Sequence, residues 1–443
     1  MTVRADTIQG AAARRAAPTG VRRLLDRADA PELTALRGHR SQYTRPVFAR
    51  RGRADVIGMV EESGLRGRGG AGFPAATKLR SVAKSGRASA VVVNGTEGEP
   101  ASRKDAMLLQ ARPHLVLDGA LLAASAVGAT DVFVCVDRGN AAGLQAMGHA
   151  LEERRRAEPD GPVVTLMGTP PRYVAGEETA LVHWINGGEA RPTTTPPRPF
   201  ERGVAGRPTL VNNVETLAHL AQIVEFGPGW FREMGTTTEP GTALATVSTA
   251  TAGPRVYEMP MGLLLADLLK AAGTADGVAG VLVGGYFGSW LSPETAARAR
   301  LCNEALRPIG GGLGCGVVAV LPEGACGVLE SARVLTWMAA ETAGQCGPCV
   351  NGLHAIATTF NDLARGSARP AGSVAQDIAR LEHWATQVEG RGACRFPDGA
   401  IRFLRSALVL FHDDLERHAH GIMCAGARRA PLLPLRSTSG GWR

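Results

Sequence analysis

Hydrophobic and polar residues change their pattern twice along this chain. Before about residue 240, short dense apolar runs alternate with stretches of helical spacing. Residues 90–94, 131–136 and 163–167 are rich in valine and other apolar types, which predicts strands covered on both faces. Residues 54–63, 113–127 and 213–226 space their apolar positions as helices do. Strands alternating with helices predict an α/β region with a parallel or mixed sheet. Residues 190–207, rich in Pro, Thr and Arg, predict an extended loop.

Near Gly241 the texture shifts to short strands, at residues 243–251, 255–259 and 280–285, around a helix at 263–272. From Cys326 onward only helical spacing remains, at 327–342, 354–365, 373–388 and 399–418. The expected organisation is therefore a tail over 1–38, an α/β domain over 39–238, a small β-rich domain over 239–325, a helical domain over 326–426 and a second tail over 427–443.

Composition narrows the function classes. A hydrophobic content of 44% in 443 residues supports full-size cores. No uninterrupted apolar run reaches the length of a membrane span, and the N-terminus lacks the apolar core of a secretory signal. The expectation is a cytoplasmic chain, at most peripheral to a membrane complex. The formal charge is +8, but only four of the 49 basic residues are lysine, at 78, 84, 104 and 270. Aromatics are 5% and do not interleave with basic residues, which argues against nucleic acid as a partner. A basic face suits an acidic protein partner.

Four motifs carry candidate chemistry. The run Ser63-Gly-Leu-Arg-Gly-Arg-Gly-Gly-Ala-Gly-Phe-Pro74 concentrates glycine with two arginines. Such a loop lets the backbone approach a flat or charged ligand and forms an anion cradle of N–H groups; the alternative is a merely flexible loop. Asn94-Gly-Thr-Glu-Gly-Glu-Pro100 follows a predicted strand, where open α/β sheets place their ligands. Its amide and two carboxylates suit a ribose or heterocycle, or a solvated turn. Tyr173-Val-Ala-Gly-Glu-Glu-Thr179 and Pro208-Thr-Leu-Val-Asn-Asn-Val-Glu-Thr216 both lead into predicted helices, where Glu and Asn serve a ligand or simply cap. Lys78 and Lys104 flank the first two motifs and are candidates for phosphate contact.

The eight cysteines, at 135, 302, 315, 326, 346, 349, 394 and 424, read as thiols or metal ligands. Cys346-Gly-Pro-Cys349 permits either a dithiol redox pair or thiolate ligation of a cluster, with Cys394 as a distant third ligand. No histidine constellation suggests a catalytic acid or base, and no catalytic residue is assigned.

Taken in order, these motifs resemble the NADH-oxidising, FMN-carrying subunit of respiratory complex I and its relatives in NAD-linked hydrogenases and formate dehydrogenases. The resemblance spans residues 38–415 and includes Gly253-Pro-x-Val-Tyr-Glu-x-Pro-Met-Gly262. It implies a Rossmann-like FMN domain, a ubiquitin-like β-grasp domain and a helical bundle holding a [4Fe–4S] cluster. It places Gly67, Arg68, Gly69, Gly70, Ala71, Gly72, Phe73, Lys78, Asn94, Glu97, Gly176, Glu177, Asn212, Asn213 and Thr216 around the flavin. Glu99 and Glu178 would meet NADH, and Cys346, Cys349 and Cys394 would hold the cluster. The implied reaction moves a hydride from NAD(P)H to FMN, then single electrons through the iron–sulfur centre to a [2Fe–2S] partner of ferredoxin or thioredoxin-like fold.

The chain departs from the family pattern at definite positions. Ala343 stands where the first cluster cysteine is expected, so the cluster is three-ligated, substituted by a residue such as Cys424, or lost. Thr96 replaces an acidic residue, and Ser81 and Arg198 stand where aromatics are expected. These losses motivate a second reading, a docking scaffold that keeps the fold and the FMN.

Overall fold

Four strands, β1 (Ser89–Gly95), β2 (Ala129–Asp137), β3 (Val163–Thr169) and β4 (Thr209–Asn213), pair in parallel in the order β3-β2-β1-β4. The computed structural model describes residues 23–26, 31–43, 52–158, 163–249, 253–274, 277–366, 371–437 and 441–443. Most of the tail expected over 1–38 therefore lies outside the described residues.

Helices cover the sheet as the dense valine runs require: Ala90 to Val93 of β1 are fully buried. The helix Pro113–Val127 is buried along nearly its whole length and packs against the helix Val214–Phe226. The two backbones touch at Gly119, where a Cβ would fall 1.9 Å from the Leu217 carbonyl oxygen. The apolar pattern does not announce β4, which has only five residues and ends in two asparagines. It matters because chain order reverses between β1 and β4, and a crevice opens outside their carboxyl ends at such a switch point.

The second sheet contains β5 (Thr242–Ser248), β6 (Arg255–Pro260), β7 (Val278–Val283), β8 (Ser289–Leu291) and β9 (Val317–Pro322), in the order β6-β5-β9-β7-β8. Its first and last strands, β5 and β9, run parallel at the centre, and every other pairing is antiparallel. The helix Leu265–Ala271 packs on its apolar face through Leu265, Leu268 and Leu269. This is the ubiquitin-like β-grasp arrangement that the resemblance implies.

The last region is helical: Gly327–Ala340, His354–Ala364, Ala371–Val388, Phe396–Leu410 and His412–Ala419. The single helix expected over 399–418 is instead two. Phe411 leaves helical geometry (φ −110°, ψ 24°), and its buried ring packs on Trp290 and against Gly327. Burying that ring turns the last helix inward. The α/β class with a β-grasp and helical bundle thus holds throughout.

The C-terminal segment folds back across the molecule. The N–H groups of Leu432 and Leu433 donate to the Glu330 carboxylate at 2.9 and 3.1 Å, and the Trp337 indole donates to the Arg436 carbonyl at 2.8 Å. Arg436 then pairs with Asp137 of β2 at 2.6 Å. The Ala190 N–H donates to the Trp442 carbonyl at 2.9 Å, and the Arg172 and Arg191 guanidinium groups lie 4.4 and 4.7 Å from the Trp442 ring centroid. Among the described residues, no helix is long and apolar enough to cross a membrane.

Candidate functional site

The motifs converge at the carboxyl ends of β1 and β4. Asn94 donates from its side chain to the Gly176 carbonyl at 2.8 Å, joining the loop after β1 to the loop after β3. These loops approach so closely that only glycine fits at two points. A Cβ on Gly98 would sit 2.4 Å from the Tyr173 carbonyl oxygen, and one on Gly176 would sit 2.9 Å from that of Thr96.

The glycine loop folds back on itself beside this junction. Gly67 donates its N–H to the Phe73 carbonyl at 2.8 Å, and Arg66 and Pro74 form an antiparallel bridge. Gly70 and Gly72 take positive φ values of 117° and 64°, which other residues reach only under strain. Gly69 lies over Asn213, and the Arg68 N–H donates to the Thr216 hydroxyl at 2.9 Å, so the loop is pinned to the start of the helix Val214–Phe226. Gly69, Ala71 and Phe73 are exposed at its tip.

Arg68 requires a correction. Its guanidinium is buried and donates to the backbone carbonyls of Thr242 at 3.1 Å and Pro240 at 3.2 Å. A side chain committed in this way clamps the loop to the β-grasp domain and does not reinforce an anion cradle.

The carboxylates divide by role. Glu97, expected beside the flavin, already has partners within the protein. It is buried and accepts from Ser102 Oγ at 2.5 Å and from the Asp105 and Ala106 N–H groups at 3.1 Å each, capping the helix Lys104–Ala111. Burial and the Asp105 carboxylate raise its pKa. Glu177 caps the helix Glu178–Ile185 through the N–H groups of Thr179 and Ala180, and burial raises its pKa as well.

Glu99 accepts from the Tyr286 N–H at 2.8 Å, the Tyr173 hydroxyl at 3.2 Å and the Ala101 N–H at 3.3 Å. Burial pushes its pKa up to about 7. Glu178, the other carboxylate expected to meet NADH, is partly exposed and lies 2.9 Å from Lys78 Nζ and 3.9 Å from Arg198. Lys104 is not available to a phosphate either. It is buried between Asp105 at 2.6 Å and Glu215 at 2.9 Å, and these carboxylates hold its pKa above the usual lysine value.

Two asparagines end β4. Asn213 caps its helix by accepting from the Glu215 N–H, and its amide donates to Asp105 at 2.8 Å. Asn212 is buried, yet its amide nitrogen has no partner among the described residues. A buried donor without an acceptor costs about 1–3 kcal/mol and points to a ligand at the switch point.

Cys346, Cys349 and Cys394 come together in the helical domain. Burial, with the neighbouring Cys346 and Cys394 thiols, pushes Cys349 up to about 12. Burial, with the Glu177 carboxylate and Cys346, holds the Cys394 thiol above its ordinary value. A reactive dithiol needs the opposite, a depressed thiol after a strand; this pair follows the helix Gly327–Ala340. Ala343 is buried beside this loop. Cys424 does not replace the missing ligand, because its thiol lies against Cys326 and His418 instead.

Two residues to which the sequence alone gives no such role, Tyr173 and Glu341, join these halves. The Tyr173 N–H donates to Glu341 at 2.9 Å, and the Tyr173 ring packs on Phe287, Trp337 and Phe396 at centroid distances of 4.9, 5.6 and 5.4 Å. With its hydroxyl on Glu99, Tyr173 links the sheet end to the cysteine loop. The signal is present in the Tyr-x-x-Gly-Glu-Glu spacing, but the partners lie far away in sequence.

Comparisons with known proteins agree with this geometry. Residues 60–222 match the Nuo51 FMN-binding domain, and residues 330–418 match the iron–sulfur binding region of NADH-ubiquinone oxidoreductase F. The F subunit of NADH-quinone oxidoreductase from Streptomyces coelicolor is 30% identical over 403 residues, covering 87% of this chain and 86% of that protein. The F 2 subunit of the Rhizobium meliloti enzyme is 31% identical over 386 residues, covering 84% and 90%. A chain of an NAD+-reducing [NiFe]-hydrogenase in the H2-reduced state superposes with a TM-score of 0.77 at 33% identity, over 83% of this chain. This chain spans 63% of that hydrogenase chain, a little under two thirds of it. The chain belongs to the family of NADH-quinone oxidoreductase F subunits, flavin-dependent oxidoreductase subunits of NADH dehydrogenase type with an FMN-binding domain and an iron–sulfur region.

Proposed function

We propose that the crevice between β1 and β4 holds FMN, with the Gly67–Gly72 loop against it, the Asn212 amide donating to it and Lys78 supplying positive charge. The observation that carries this is the unpartnered Asn212 amide at the switch point, next to a loop whose glycines leave room for a flat ligand. When bound, FMN supplies the hydride and single-electron chemistry; the chain binds, orients and shields it. Arg68 and Thr216 keep the loop closed over the helix start. Glu178 and the exposed Phe73 face NADH, the first through hydrogen bonding and the second through stacking. No side chain here needs to move a proton, because hydride transfer requires no general base.

The three thiolates of Cys346, Cys349 and Cys394 would hold an iron–sulfur cluster, which would carry single electrons. Glu177 near Cys394 supports a short path from the flavin crevice to these thiols. Electrons leaving singly need an acceptor, and a [2Fe–2S] partner of ferredoxin or thioredoxin-like fold fits that need. Domains at 39–238, 239–325 and 326–426, in a cytoplasmic chain bound peripherally to a larger complex, complete this reading.

Anaerobic purification, an absorption spectrum, an iron assay and an NADH titration on one sample test it. The expected result is flavin absorbance that bleaches with NADH and about 4 iron per chain, with Ala343→Cys slowing iron loss in air. Flavin that ignores NADH, with no iron, would overturn it in favour of a docking scaffold.

A further inference from the structure

Cys326, His418 and Cys424 form a second cluster of metal-ligating side chains, separate from the cysteines above. Their ligand atoms all lie within 4.8 Å of one another, with Cys326 Sγ 3.9 Å from His418 Nε2. Cys326 and His418 are buried, and Cys424 is half-buried.

The surroundings fix each ligand for metal binding. His418 Nδ1 lies 2.9 Å from the Ala364 carbonyl, to which it donates. That bond sets the tautomer, leaving Nε2 as the ring's acceptor nitrogen, 3.9 Å from Cys326 Sγ. Cys326 is the N-cap of the helix Gly327–Ala340, and its sulfur accepts the Leu329 N–H at 3.3 Å. In this geometry Nε2 accepts the Cys424 N–H at 3.1 Å, a bond that a bound cation would replace. Cys326 also lines a cleft of about 420 Å³.

We propose that Cys326, His418 and Cys424 bind one Zn²⁺, with water as the fourth ligand. Two thiolates and an imidazole are a soft donor set suited to tetrahedral zinc. The ligands come from the start of one helix, the end of another and the segment beyond it. The ion therefore anchors the root of the segment that crosses back over the molecule, and it is independent of the flavin and the iron.

The test uses the full chain, purified without chelators from zinc-supplemented cells, with zinc and iron measured on one sample. One zinc per chain in addition to any iron is expected. The zinc absorption edge should report two sulfurs at about 2.3 Å and one nitrogen at about 2.0–2.1 Å. Cys424→Ser and His418→Asn should each lose the zinc while retaining flavin and iron. The wild-type spectrum stands even if a variant does not fold. A reduced wild-type protein that neither carries zinc nor takes it up from added zinc salt overturns the proposal. So does a Cys326–Cys424 disulfide in protein alkylated at lysis, or zinc retained at full occupancy in Cys424→Ser.

Discussion

Lys78 Nζ lies 2.9 Å from Glu178 Oε2, joining the helix after the glycine loop to the helix after Gly176 and Glu177. Both side chains are about a quarter exposed, so the pair itself contributes at most about 1 kcal/mol to stability. Under the proposed function it presents opposite charges to two different ligands. Lys78→Met is expected to weaken FMN binding by about tenfold or more, the size of one charge-assisted hydrogen bond. Glu178→Gln should instead raise the KM for NADH with flavin content unchanged. Flavin fluorescence titration and steady-state kinetics separate the two effects. If both variants shift only the melting temperature, the assignment fails.

Glu99 makes stability depend on pH in a defined direction. Its folded pKa is raised by burial from 4.5 to about 7, so the folded state holds this proton more tightly than the unfolded chain does. The stabilisation is full below pH 4.5 and disappears as pH rises through about 7. That interval corresponds to about 3 kcal/mol as an upper bound. Glu99→Gln stays neutral, so its advantage over the wild type should grow from pH 4.5 to 7 and level off above. Urea unfolding of both proteins at several pH values measures this; a constant difference sinks the prediction.

Arg68→Met removes two buried charged hydrogen bonds to the Thr242 and Pro240 carbonyls. A loss of about 3 kcal/mol in unfolding free energy is expected. Flavin-loaded and flavin-free protein should lose it equally, because the guanidinium points toward the β-grasp domain. A loss seen only in the loaded form would return Arg68 to the ligand.

Gly98→Ala places a methyl group 2.4 Å from the backbone oxygen of Tyr173, which cannot rotate away. Destabilisation of about 1–3 kcal/mol is expected, with weakened FMN retention as the two loops part. Gly58→Ala, where nothing lies within 4 Å of the added atom, is the matched control and should be neutral or stabilising. Chemical unfolding of the three proteins side by side reads the difference.

Much of this architecture was legible because its central strand β1 is buried on both faces, although β3 at the sheet edge is half-buried or exposed along most of its length. Residues 90–94 could hardly be anything else, and the ordered motifs supplied the domain sequence. What the local sequence concealed was a partner that only the fold brings into place. Glycines with arginine suggest an anion cradle, yet Arg68 finds its acceptors some 170 residues away. Glu97 resembles a ligand group until the helix it caps is in view. The helix expected over 399–418 has continuous spacing and breaks only because Phe411 finds a pocket beside Trp290. Cys424, one candidate for the missing cluster ligand, is held by a histidine six residues earlier.

The returning C-terminal segment has a consequence for how the chain is made. Asp137 of the first sheet meets Arg436 across 299 positions. On the ribosome, the strands around the flavin crevice emerge long before the residues that complete their periphery. Native pairing of such distant segments is slow, and loop closure over that span comes late. The crevice therefore forms early, while Arg172 and Arg191 acquire the Trp442 ring only after all the intervening residues have been made. A premature stop shortly before Arg436 would release a chain with its sheets built and its clasp undone.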